Sequence, residues 1–375
     1  MKEYRVGLLG MGMIGTVHAH CISTLPYYYQ GMPFRAVLAG VYNRTYETAA
    51  QAKAQYGFEF AAKTMDELIE RDDIDVIDIC LPNHQHEQCI IAALESGKHV
   101  YCEKPLCVSH EGAQRILEAA KKSDRKIQMA FNNRFFPAIM RAKQIVDEGR
   151  LGRLLSFSAV YTHASNIDPG KPHSWRCERA YTGGGAMMDL GSHVIDLITH
   201  LGGKFSRVNA VLQTGTDKRP CGDGMKAVDV EDAAYIMGEL KCGAMGTITA
   251  SKLVTGTNEE LLIQLNGEAG AIRFDAESPG WLAFYDNTAP GGSFGGDRGF
   301  KYIEACQRFN APGGSVPPPK MTLGWIRSHV HSMYSFFENI HSGKACNPSL
   351  EDGAYNQYLL GKAYESANSG VWVDV

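Results

Sequence analysis

Long apolar runs are missing from this chain: no stretch approaches the roughly 20 consecutive residues that a bilayer-spanning helix needs. A membrane-spanning helix is not expected on that ground. Cationic excess is missing too, since 37 Lys and Arg against 41 Asp and Glu leave a net charge of −4. With no basic field to hold a phosphate backbone or anionic lipid, neither nucleic acid nor a membrane surface is an expected partner. The ten cysteines include no C-x-x-C pair, and several lie inside apolar runs. That pattern points to reduced, buried thiols and away from a disulfide framework or a zinc site. The opening Met1-Lys2-Glu3-Tyr4-Arg5 lacks the apolar core and small-residue cleavage site of a secretory signal, so a cytoplasmic location is the expectation. No internal repeat is visible. The single biased segment, 287–319, is rich in Gly and Pro and ends in Pro317-Pro318-Pro319. A cover over a site, an arm to a neighbouring subunit and a passive insertion are its three open readings.

What is present fits a soluble globular protein of 375 residues, 44% hydrophobic and 21% charged, long enough for two domains. Val6 to Leu9 is a short apolar run that ends in Gly10-Met11-Gly12-Met13-Ile14-Gly15 and passes into the helix-compatible Thr16-Val17-His18-Ala19-His20. Strand, glycine turn and helix in that order form a dinucleotide loop. Gly10 permits the tight turn, Gly12 lets the backbone approach a pyrophosphate, Gly15 allows close helix–strand packing, and the amides at Met13 and Ile14 begin the helix that attracts the anion. The next strand, Ala36 to Tyr42, comes late because Tyr27 to Pro33 lengthens the connection, and at its end stand Asn43 and Arg44. Asn43 suits a ribose hydroxyl and Arg44 an adenine face, which favours NAD; an Arg there leaves NADP open as well.

Further apolar strands follow at 76–81, 100–102 and 127–130, with helical patterns at 65–71, 86–96 and 110–122 between them. Strands of this kind separated by helices predict a doubly wound parallel sheet, with ligands beyond the strands' carboxyl ends. Pro82-Asn83 and Glu103-Lys104-Pro105 occupy those ends. The i, i+2 pair His84 and His86 has no further ligand nearby in sequence, so no metal is expected.

Later, Gly183-Gly184-Gly185 leads as a flexible hinge into a helical pattern from Ala186 to His200, on which Asp189, His193, Asp196 and His200 share one face. A solvated stripe would be rich in Lys, Glu and Arg; this one holds only Asp and His, with no Lys or Arg between Arg179 and Lys204. Asp189 and His193 therefore read as an acid/base pair, a carboxylate steadying an imidazole. Beside a cofactor loop and Lys104, such a pair suits alcohol oxidation, which needs a proton acceptor as well as a hydride acceptor.

Together these segments resemble the Gfo/Idh/MocA oxidoreductases, the family of glucose-fructose oxidoreductase and inositol dehydrogenases, over nearly the whole chain. The resemblance is carried by Gly10 to Gly15, Leu81-Pro82-Asn83 with His86, Gly97 to Pro105, Asn133-Arg134-Phe135 with Pro137, and Trp175-Arg176. Gly183-Gly184-Gly185, Asp189 to His193 with Asp196, and Ser349 to Gly353 continue it. It implies an α/β protein: a Rossmann domain over 1–130 and an α+β domain over 131–375 whose open, mostly antiparallel sheet serves substrate binding and homo-oligomerisation, as dimer or tetramer. Strand-like runs at 155–162, 233–240, 244–250, 261–265 and 271–274 agree, as do an Asn266-Gly267 hairpin signal and helical patterns at 321–342 and 352–368.

By the same resemblance the cofactor contacts are Gly10, Gly12, Met13, Ile14, Gly15, Asn43, Arg44, Pro82, Asn83, His86, Glu103 and Lys104, and Pro105 follows a cis peptide. Lys104, His193 and Asp189 are the implied catalytic set: His193 as base, Lys104 on the substrate oxygen, Asp189 orienting sugar and imidazole, with the first two able to exchange roles. Substrate contacts are expected from Lys104, Arg134, His163, Trp175, Arg176, Asp189 and His193, with Asn166, His173 and Tyr181 nearby. Rings and hydroxyl donors of this kind suit a neutral sugar, glycoside or cyclitol, and oxidation of a glycoside at C3 is the sharpest expectation. NADPH-dependent reduction of a keto-sugar, glycoside hydrolysis with NAD kept bound, and a regulator without chemistry are the alternatives. Against the last, a sensor has no need of an acid/base set.

Overall fold

The structure is a computed structural model that describes every residue except 307, 310, 319 and 320, so Pro319 and two further positions of the 287–319 segment lie outside the described residues. Two compact units are formed, one from Met1–Phe135 with Gln307–Gln357, the other from Phe136–Cys306 with Tyr358–Val375. No helix among the described residues is long and apolar enough to cross a membrane.

The first unit alternates strand and helix: β1 (Lys2–Leu9), α1 (Met13–Tyr28), β2 (Phe34–Tyr42), α2 (Tyr46–Tyr56), β3 (Phe60–Ala62), α3 (Met65–Ile69), β4 (Val76–Ile79), α4 (His86–Glu95), β5 (His99–Cys102), α5 (His110–Ala120) and β6 (Ile127–Met129). Its six strands are parallel, in the order β3-β2-β1-β4-β5-β6. β4 and β6 are buried at every residue, as strands sandwiched between two helical layers must be. Alternate side chains serve the two faces: Val6, Leu8, Val76 and Tyr101 pack toward α1 and α2, whereas Leu9, Ile77, Val100 and Cys102 pack toward α3, α4 and α5. Strand order reverses between β1 and β4, which sets the ligand crevice of such a sheet at their carboxyl ends. The connection to β2 is shorter than the sequence reading supposed, because α1 runs on to Tyr28. Neither α2 nor β3 was anticipated: α2 buries only Ala49 and Ala52, and β3 is three residues long.

In the second unit lie α6 (Pro137–Asp147), β7 (Leu154–Thr162), α7 (Arg179–Thr182), α8 (Ser192–Gly202), β8 (Phe205–Gln213), the hairpin β9 (Lys218–Cys221) and β10 (Gly224–Ala227), β11 (Ala233–Leu240), β12 (Met245–Ser251), β13 (Glu260–Gly267), β14 (Gly270–Asp275), β15 (Trp281–Asp286) and β16 (Phe300–Glu304). Then come α9 (Trp325–Ser342), α10 (Leu350–Ser369) and β17 (Val373–Asp374). Nine strands form one sheet, β16-β15-β14-β13-β7-β12-β11-β8-β17, antiparallel throughout except for β7 beside β12. One face, with Phe157, Ile236, Ile248 and Ile263, is buried under α6 and α8. Asn266-Gly267 is not the hairpin turn: Asn266 still pairs with Ala271, and the chain reverses over the residues between them.

Residues of α9 return to the first unit instead of staying with the sheet beside which a 131–375 domain would place them. The reason is an apolar stripe, Val330, Met333, Phe336 and Phe337, which joins the core formed by α1 and the sheet, with Phe336 against the Tyr101 ring at 5.4 Å between centroids. Phe336→Ala is expected to cost about 3–5 kcal/mol, the usual range for a fully buried aromatic, read as a fall in the urea midpoint.

Candidate active site

At the end of β1 the backbone turns through Gly10, at φ +100°, and α1 starts from Gly12 with no side chain capping it. A Cβ on Gly15 would lie 2.0 Å from the Gly10 carbonyl oxygen, so the helix can approach the turn this closely only with glycine there. At Gly12 a Cβ would meet nothing within 4 Å. That open space in front of uncapped helix amides fits a pyrophosphate. Met13 is well exposed on the same turn. Asn43 points its Oδ1 at the Met11 amide, 3.1 Å away, so it shapes the loop from the end of β2, leaving its NH2 for a ribose, and Arg44 is exposed beside it.

The ends of β4 and β5 carry the second group. Pro82 and Asn83 are half-buried, and so is Lys104, which precedes Pro105 across a cis peptide. His86 departs from its expected place among cofactor contacts: it is fully buried, with ring nitrogens 2.9 Å from the Pro105 carbonyl and 2.8 Å from that of Leu81. It therefore braces one turn against the other. Glu103 is also buried; one carboxylate oxygen lies 3.2 Å from His18 Nε2 and the other accepts the Lys104 amide at 3.1 Å. Arg134, expected at the substrate, is 6% exposed and gives its Nη1 to Asn347 at 2.8 Å and Asp352 at 3.0 Å. Its guanidinium ties the β6 end to the start of α10.

Within the second unit, the chain before α8 makes a wide π turn over Met187–Gly191. Gly183-Gly184-Gly185 is no flexible hinge here: a Cβ on Gly185 would lie 1.8 Å from the Glu231 carbonyl. Buried Glu231 accepts from the Gly185 and Met187 amides, at 2.9 and 3.0 Å, and from the Tyr364 hydroxyl at 2.8 Å. This fixes where the helix begins, and hence where Asp189 and His193 lie. Within the polar stripe His193 and Asp196 are buried, whereas Asp189 and His200 are half-buried. Tyr161 of β7 places its ring 5.6 Å from His193, centroid to centroid, while its hydroxyl donates to Glu259.

Asp189 remains 41% exposed at its side chain and pairs with Lys252 Nζ at 2.9 Å. Lys252 was not foreseen. It follows β12, more than sixty residues away in sequence, and it is buried, its backbone amide bonded to the Asp232 carbonyl at 2.8 Å. Burial, and then the Lys252 charge, lower the pKa of the neighbouring His163, one of the expected substrate contacts. Trp175 is half-buried with the exposed Arg176 stacked on it at 4.5 Å, so these two also present a planar surface.

Residues 4–131 match the oxidoreductase family with an NAD-binding Rossmann fold, and residues 139–273 match the GFO/IDH/MocA C-terminal domain. Over 392 aligned positions the chain is 34% identical to a levoglucosan dehydrogenase of Pseudarthrobacter phenanthrenivorans, covering 100% of this chain and 99% of that one. A myo-inositol 2-dehydrogenase of Thermotoga maritima is 27% identical over 96% of this chain and 94% of its own. A solved levoglucosan dehydrogenase in complex with NADH and L-sorbose superposes with a TM-score of 0.95 at 33% identity, covering 100% and 99% of the two chains.

Two buried histidines of α9 make the first unit sensitive to acid. Burial, then the His18 charge, lowers His329 to about 3, and burial, then Arg327, lowers His331 to about 3. Both are neutral when folded but titrate near 6.5 when unfolded, so the unfolded chain binds more protons between those values and stability falls as pH falls from about 6.5. Each can contribute up to about 1.4 kcal/mol per pH unit. In His331→Gln the urea midpoint is expected to fall less steeply below pH 6.5; a slope equal to wild type would mean that His331 is not buried neutral.

Proposed function

The chain belongs to the GFO/IDH/MocA family of NAD-binding oxidoreductases, and from that membership we propose that it moves hydride between a secondary ring hydroxyl of a sugar, glycoside or cyclitol and nicotinamide, with C3 of a glycoside the favoured carbon. The observation that carries this reading is the full-length likeness to a levoglucosan dehydrogenase. The open cradle at Gly12, the Lys104 turn and the Asp189–Lys252 pair beside His193 support it.

NAD supplies the hydride acceptor when bound, through the Gly10 to Gly15 loop, with Asn43 and Arg44 at the adenosine side. His193 takes the hydroxyl proton, a role suited to an imidazole near neutral pH. The Lys104 ammonium holds the substrate oxygen and offsets the negative charge that grows on it as the C–H bond breaks. Asp189, held by Lys252, accepts hydrogen bonds from neighbouring hydroxyls. Loss of one proton and one hydride from the carbinol leaves a ketone, so the electron count closes with NADH as the second product. In the reverse direction the same groups act in opposite order.

A screen of glycosides, free sugars and inositols for reduced-nicotinamide absorbance should find a substrate whose turnover falls by at least about 10²-fold in Lys104→Met and in His193→Ala. Robust activity in both variants would contradict the assignment.

We also propose that the chain works as a homo-oligomer, built on the face of the nine-stranded sheet away from α6 and α8. Register places Val211, Tyr235, Met237 and Met245 on that face, and all four are exposed. Exposed apolar side chains on an open sheet face, interleaved with polar residues such as Asn209, Thr247 and Thr249, suit a second copy of the same sheet. Light scattering should show the wild-type protein as a dimer or tetramer and Tyr235→Asp/Met237→Asp as a smaller species. A monomeric wild type would refute this.

A further inference from the structure

His18 is a fully enclosed ionisable side chain near the proposed chemistry, at 0% exposure, and the function above does not use it. It lies in the second turn of α1, the helix that starts at the dinucleotide loop. Nδ1 is 2.9 and 3.1 Å from the two oxygens of Asp78 on β4, and Nε2 is 3.2 Å from Oε1 of Glu103 after β5. Cys80 Sγ also lies 3.1 Å from Nδ1, the Tyr101 ring stands 5.3 Å away between centroids, and the His329 ring 6.1 Å. A neutral imidazole has one N–H and one lone pair, so it would leave one buried carboxylate facing a lone pair. An imidazolium donates to both. Burial opposes that charge, but Asp78 first and then Cys80 outweigh it and raise His18 well above its ordinary value. Burial likewise opposes charge on Glu103, but the His18 bond and charge, followed by Lys104, hold it at about 2.

The consequence runs along the turn. Glu103 Oε1 is held by His18, and Oε2 accepts the backbone N–H of Lys104 at 3.1 Å. We infer that His18 is a positioning residue for Lys104: as an imidazolium it clamps the Glu103 carboxylate, and that carboxylate fixes the turn from which the Lys104 ammonium projects. Because Asp78 sits on β4, Glu103 at the end of β5 and His18 on α1, the clamp also joins the helix of the dinucleotide loop to the lysine turn within one unit. His329, lowered to about 3 by burial and then by the His18 charge, is neutral and adds no competing charge beside Glu103. The inference rests on the catalytic role proposed for Lys104.

Steady-state kinetics on the purified full chain test it, with the substrate found by the screen. His18→Gln is expected to lower kcat by roughly 10–100-fold, the cost of displacing a catalytic group by a fraction of an ångström to an ångström, while the sugar KM and the NADH dissociation constant stay within about threefold. Glu103→Gln should behave alike, and the double variant should be no worse than the poorer single, since both substitutions break one chain of contacts. Unchanged kcat in His18→Gln, or losses that multiply in the double variant, would overturn the clamp. Lys104→Met separates the two claims. If it is inactive while His18→Gln turns over at the full rate, the clamp alone fails; if Lys104→Met stays active, the role of Lys104 fails and the clamp's purpose with it. A readout independent of the variants' folding is the ¹⁵N spectrum of histidine-labelled wild-type protein, in which His18 should keep the imidazolium signature above neutral pH. A neutral His18 ring, or a chelatable metal ion bound by His18, Glu103 and His329, would overturn the inference.

Discussion

A carboxylate can be buried only where charge and hydrogen bonds replace the water it gives up, and the end of β5 meets that constraint at Glu103. One oxygen faces the His18 ring and the other the Lys104 amide, so Glu103 links α1 to the lysine turn. His86 secures the same turn from the other side by spanning the carbonyls of Leu81 and Pro105. The dinucleotide loop, the ends of β4 and β5, and Lys104 thereby form one rigid constellation inside the first unit. Rigid placement matters because catalysis by proximity is lost with small displacements.

The second unit meets a similar demand with a different device. Its helix α8 begins where a buried glutamate, Glu231, gathers two backbone amides and a tyrosine hydroxyl. From that fixed start, His193 falls into the interior beside Tyr161, and Asp189 stays at a partly exposed position held by Lys252. A charged pair at a half-exposed site keeps a carboxylate ionised and oriented without the full penalty of burial. Such a carboxylate suits a ligand rich in hydroxyls.

Much of this was legible in the sequence, for identifiable reasons. Runs such as Val76 to Ile79, apolar but for Asp78, read as central strands, and the glycine spacing from Gly10 to Gly15 has one good structural use. The stripe of Asp189, His193 and Asp196 was read as facing inward because it lacked lysine and arginine, and His193 and Asp196 are indeed buried. What escaped depends on distance along the chain. Lys252, just after β12, and Glu231, just before β11, reach the site from strand ends that only the tertiary fold brings to α8. The edge strand β16 and its neighbour β15 carry Trp281, Phe300 and Tyr302 outward, so they lack clean alternation. Asn266-Gly267 has hairpin chemistry, yet the register of β13 with β14 places the reversal after it. The family resemblance points to His86 as a cofactor contact and hydroxyl-donor chemistry to Arg134 as a substrate contact; burial and their partners in the fold commit both to holding turns together.

The central claim is that this chain takes hydride from a secondary ring carbon of a sugar and passes it to nicotinamide. The sugar or glycoside found by the screen, carrying deuterium at C3 and incubated with NAD and the protein, tests it most directly by mass spectrometry of the nucleotide. The account predicts one deuterium at C4 of the NADH formed, together with a 3-keto product. NADH formed without deuterium would contradict oxidation at C3, and no reduced nucleotide from any sugar, glycoside or cyclitol would contradict the account as a whole.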